Sequence, residues 1–111
     1  MMTEEISPFK ALDFIRDNSS KYAQAKADVV YVMEYRKSLK AILMSQSIAK
    51  TQSEREAEAY AHEDYLSHLH AIREAVAVAE QLRWLMVAAE SKIEVWRSLE
   101  STARAEGKAT Q

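Results

Sequence analysis

Residues 63–104 read EDYLSHLHAIREAVAVAEQLRWLMVAAESKIEVWRSLESTAR, with no glycine and no proline. Their apolar side chains fall at Tyr65, Leu69, Ile72, Val76, Ala79, Leu82, Met86, Ala89, Ile93 and Trp96. The steps between them are threes and fours, the spacing that holds side chains on one helical face. The pattern predicts one long helix, roughly 60 Å at about 1.5 Å per residue. A chain of 111 residues is too small to enclose such a rod. Part of the rod therefore projects or meets another chain. The stripe drifts by roughly 20° per heptad, which favours a left-handed supercoil.

Composition points the same way. Gly107 and Pro8 are single occurrences, so the turn punctuation of an all-β fold is missing. Apolar residues make up 48% of the chain, too many for full disorder, and many are alanines that allow close helix packing. The formal net charge of −2 exerts no global pull on nucleic acid. With no cysteine, disulfides and thiolate metal sites are excluded. No run approaches the ~20 apolar residues of a membrane span, and Met1-Met2-Thr3-Glu4-Glu5 lacks a basic leader. A cytoplasmic helical protein with no membrane partner is expected.

Upstream of the long helix, residues 1–7 read as a flexible terminus. Ser7-Pro8 suits a helix start, with Ser as N-cap and Pro in the first helical position. A first helix over 8–17 carries Phe9, Leu12 and Ile15 on one face. The cluster Asp17-Asn18-Ser19-Ser20 predicts a turn, since short polar side chains compete for the backbone. A second helix over 21–49 carries the stripe Tyr22, Ala25, Val29, Val32, Leu39 and Leu43, with Arg36 inside it. Thr51-Gln52-Ser53-Glu54 fits a capping box and predicts a short polar helix over 52–61. The long helix then runs 63–104, with Glu63 and Asp64 at its positive end. Residues 105–111 read as a flexible tail, with Gly107 as a stop. The fold class is all-α: one helical domain over 8–104, a short helix followed by a long antiparallel hairpin. The hairpin register expected places Leu43 near Leu69, Val29 near Arg83 and Tyr22 level with Glu90. Ile93, Trp96 and Leu99 then need cover from the first helix or from a second copy. A coiled-coil-like homodimer with these three at its seam is favoured.

The runs Tyr22-Ala23-Gln24-Ala25-Lys26-Ala27, Tyr35-Arg36-Lys37-Ser38-Leu39-Lys40-Ala41, Glu54-Arg55-Glu56-Ala57-Glu58-Ala59-Tyr60 and Glu94-Val95-Trp96-Arg97-Ser98 carry a likeness. Over about residues 9–105 the chain resembles a family of small helical proteins of tailed bacteriophages and prophages. These are often encoded among genes for DNA replication and recombination. The resemblance implies a phage accessory protein in the bacterial host cytoplasm, and it transfers no catalytic or binding residue.

No constellation of side chains points to catalysis. No serine sits between glycines and no glycine-rich loop exists to cradle phosphate. His68 and His70 are two apart and point away from each other on a helix. His62 and Glu58 make two metal ligands at most. These histidines are expected on an exposed face, with neither metal nor cofactor. Arg83, Glu90 and Arg97 recur at heptad spacing beside the stripe. With Arg36 reaching Glu80 or Glu74, they suggest an ion network that sets helix register. Trp84 points off the stripe near Leu66, Val87 and Val95, and such exposed residues suit a contact with a host or phage protein. The alternative is a nucleic-acid edge of Lys26, Lys37, Lys40, Arg83 and Arg97, with tryptophan rings stacking on bases. The interspersed acidic residues weigh against it. A non-enzymatic protein acting by protein–protein association is the leading expectation, and a DNA-associated accessory factor the second.

Overall fold

The computed structural model describes residues 5–109. The fold is all-α, built of α1 (Pro8–Gln46), α2 (Gln52–Ala61) and α3 (Glu63–Ala109). No strand occurs among the described residues. Ser7 caps α1 as its chemistry predicts: its hydroxyl accepts from the Lys10 amide at 3.3 Å and its carbonyl from the Ala11 amide at 3.2 Å. Thr51 caps α2, accepting from the Glu54 amide at 3.2 Å.

Three boundaries differ from expectation. The turn at residues 17–20 does not form, so helices over 8–17 and 21–49 are replaced by one continuous α1. Asn18 turns its side-chain amide back onto the Phe14 carbonyl at 2.8 Å, and Ser19 turns its hydroxyl onto Ile15. Bonds to the preceding turn satisfy these polar groups without breaking the helix. α1 instead stops at Gln46. The expected tail is helical through Ala109. Gly107 is therefore no stop, and no described glycine has positive φ. Of the segments expected to be flexible, residues 1–4 and 110–111 lie outside the described residues.

Packing divides into two units, Ala23–Glu80 and the pair of segments up to Tyr22 and from Gln81. In the first, the chain reverses over residues 47–51. Arg55 Nε donates to the Ala49 carbonyl at 2.8 Å, the Ala49 amide donates to Ser47 Oγ at 3.1 Å, and the Ser47 hydroxyl binds Glu58. α2 is therefore already on the returning arm. Leu39, Leu43, Ala59 and Tyr65 bury together, with Met44 against them. Each buried leucine contributes about 1.5–3 kcal/mol. Further along, His68 meets the Val32 carbonyl. The expected register is thus wrong: Leu43 packs with Ala59 and Tyr65, not Leu69, because α2 takes the place opposite the end of α1. The α1 stripe is oriented as predicted, with Ala25 and Leu39 buried and Val29, Val32 and Arg36 half-buried. The α3 stripe is rotated slightly. His68 and Ala75 turn inward, while Leu69 and Val76 stay 39% and 38% exposed.

The second unit shows the same departure in register. Ala11 and Phe14 line one groove with Leu85, Ala88 and Ala89, so the start of α1, not Tyr22, lies alongside this part of α3. Ala11 and Ala89 are buried, and Leu82, Met86 and Ile93 are half-buried. Beyond Ile93, every described residue of α3 through Ala109 is exposed.

Candidate association surface

The described core is thin. Its buried apolar residues are Ala11, Ala25, Leu39, Leu43, Ala59, Tyr65, Ala79 and Ala89. Five of the eight are alanine, so little large apolar surface is removed from water. Trp84 is 59% exposed, Leu66, Val87 and Val95 are exposed, and Trp96 and Leu99 remain in contact with solvent. Ile93 is half-buried. Trp84, Val87, Val95 and Leu99 all fall within about 120° of one another around α3. Leu66 belongs to the other packing unit.

Arg36 does not take the part expected of it in a register network, while Glu80 and Arg83 each have interactions of their own. Arg36 is half-buried, and among the described residues no carboxylate pairs with it. The cause is the register: with Val32 at His68, Arg36 lies one turn towards Tyr65, away from Glu74 and Glu80. Arg83 lies over the Trp84 ring, 5.0 Å from its centroid. Glu80 and Glu90 are exposed. Arg97 pairs within its own helix with Glu94 at 3.4 Å, both about two-thirds exposed.

The basic edge is largely answered by the chain's own acids. Lys37 reaches Glu34 at 3.2 Å, and Lys40 donates to Glu56 at 2.7 Å. Lys40 also sits 4.6 Å from the Tyr60 ring centroid. Its hydrogen bonds to Glu56 and Tyr60 hold the ammonium well above its ordinary pKa, and the same bond to Lys40 draws the Glu56 carboxyl below its own. Lys26 is exposed on α1 and has interactions of its own. Pairing of this kind lowers the counterion release that would drive phosphate binding.

Two histidines make structural contacts: His62 is exposed as expected, whereas His68 is half-buried, contrary to the exposed placement expected for it. A carbonyl can only accept, so His68 Nε2 donates to Val32 at 2.6 Å, and its ring lies 5.3 Å from that of Tyr35. His62 joins α2 to α3: its Nδ1 accepts from the Asp64 amide at 3.0 Å. His70 is exposed. Among the described residues no group of three or more potential ligands could hold a metal ion. The Tyr31–Tyr35 stack, 6.3 Å between centroids, escapes the stripe analysis, although tyrosines four apart are its signal.

No protein family, curated protein or solved structure matches this chain. No helix among the described residues is long and apolar enough to cross a membrane.

Proposed function

We propose that this chain is a non-enzymatic association module, a phage accessory protein that acts by burying exposed helical faces against other protein, including its own copies. One observation carries the reading. The described core is mostly alanine, while Trp84 is 59% exposed and Leu66, Val87 and Val95 stay exposed too. Tryptophan is enriched among the residues that anchor protein interfaces, and exposed apolar patches mark association sites.

The test is sedimentation velocity of the full chain over a hundredfold concentration range, with and without a single-stranded oligonucleotide. The reading expects a mass above that of one chain, rising with concentration, and no oligonucleotide binding at physiological salt. A chain that stays monomeric and binds the oligonucleotide with a steep salt dependence contradicts it and makes the DNA-associated role the better one.

A further inference from the structure

Among the described residues nothing covers the turns of α3 beyond Ile93, yet they carry Val95, Trp96 and Leu99, which are 47%, 36% and 59% exposed. An isolated helix of about this length is marginal in water. We infer that this segment closes on a second copy of the chain, antiparallel, with Leu99 on the two-fold axis. The inference rests on the association reading above and names its partner.

The sequence of the segment selects that partner. Lys92, Trp96, Leu99, Ala103 and Glu106 recur at steps of four and three and so share one face, with Val95 and Thr102 beside them on it. A two-fold interface sets residue i against j and j against i. With Leu99 against Leu99, Lys92 falls opposite the partner's Glu106, Val95 opposite the partner's Ala103 and Trp96 opposite the partner's Thr102. Both ends of the stripe close with opposite charges, and apart from the central leucines each bulky side chain meets a small one. The relation continues off the stripe, where Glu94 falls level with the partner's Arg104 and Glu90 with the partner's Lys108. Between Glu90 and Lys108, no like charges fall level. Centres on Val95, Trp96 and Ala103 fit less well. Centring on Val95 sets Glu90 against Glu100, and centring on Ala103 sets Glu100 against Glu106. Centring on Trp96 sets the two largest rings on one another. A parallel pair sets every charge against itself. Like charges in register oppose association.

The chain has no cysteine, so a single introduced thiol reports on symmetry directly. The full chain is made as Leu99→Cys and, separately, as Glu106→Cys, and each is oxidised and run on a non-reducing gel. The inference expects a cross-linked dimer for Leu99→Cys and none for Glu106→Cys. In the antiparallel pair the two copies of position 106 lie about 20 Å apart along the axis, beyond disulfide reach. Cross-linking of both means a parallel pair and overturns it. Cross-linking of neither overturns it as well.

A charge exchange tests the ends of the stripe. Lys92→Glu alone is expected to weaken dimerisation at least about tenfold, and adding Glu106→Lys is expected to restore it, both read by sedimentation equilibrium. A dimer that ignores Lys92→Glu, while Leu99→Cys fails to cross-link, sinks this antiparallel contact but leaves association through another face standing. A chain monomeric at every concentration sinks this contact and self-association together.

Discussion

The reversal around residues 47–65, with α2 in it, and the distal end of α3 are both rich in charge, yet the bulky side chains bury only in the first. At the reversal, side chains close on the chain itself. Thr51 caps Glu54, Arg55 holds Ala49, Lys40 meets Glu56, and Leu39, Leu43, Ala59 and Tyr65 bury together. Beyond Ile93 the bulky residues Val95, Trp96 and Leu99 lie in the open, and the ion pair Arg97–Glu94 lies within one helix. The difference lies in the distance between partners along the chain. Residues near a turn find partners at short loop cost, whereas the apolar side chains beyond Ile93 stay exposed among the described residues.

Truncation should separate the two regions most sharply. Leu43→Ala is expected to cost about 3 kcal/mol at any protein concentration, measured by urea denaturation. Leu99→Ala should cost under about 0.5 kcal/mol in dilute solution, and its effect should grow with concentration as association is lost. Equal, concentration-independent losses would erase the distinction. A smaller effect is expected from Thr51→Ala, about 1 kcal/mol in the same assay, because the α2 cap is lost.

Arg36 sharpens the comparison from the inside. It occupies an apolar seam position with no carboxylate partner among the described residues. Arg36→Met should raise stability by about 1 kcal/mol, read as a higher urea midpoint, and a loss would restore the register role first expected for it. The smallest effect concerns pH. Lys40 lowers the Glu56 pKa below its ordinary 4.5, so the pair stabilises the reversal at neutral pH. That contribution is lost as pH falls below 4.5 and through the lower folded value. Amide exchange in α2 should quicken across that range relative to its trend at higher pH, and Lys40→Met should remove the step. The raised pKa of Lys40 adds no further step near neutrality, since that contribution fades only in strong alkali.

Much of this fold is legible in the sequence, for local reasons. Ser7 and Thr51 cap because their hydroxyls reach amides three residues away, and the α1 stripe follows from its steps of three and four. The continuity of α1 is less legible, because Asn18 and Ser19 can end a helix or bond back into it, and the choice depends on tertiary packing. The inward face of α3 could not be separated from its neighbour by spacing alone. Tyr65, His68, Ile72, Ala75 and Tyr65, Leu69, Ile72, Val76 are both helical stripes, and His68 wins by reaching the Val32 carbonyl. The register depended on assigning α2 to the returning arm, which the polarity of residues 52–61 disguised. At the candidate surface, the exposure of Trp84 and Leu66 follows from their off-stripe positions. The bare end of α3 became evident only once that register was known.

The most direct test of the central claim is amide hydrogen exchange of the full chain at low and high protein concentration. The account predicts that amides of residues 94–109 become more protected as concentration rises, while those around Leu39, Leu43 and Tyr65 do not change. Protection over 94–109 that is the same at every concentration would contradict it, because that end of α3 would then be stable without a second copy.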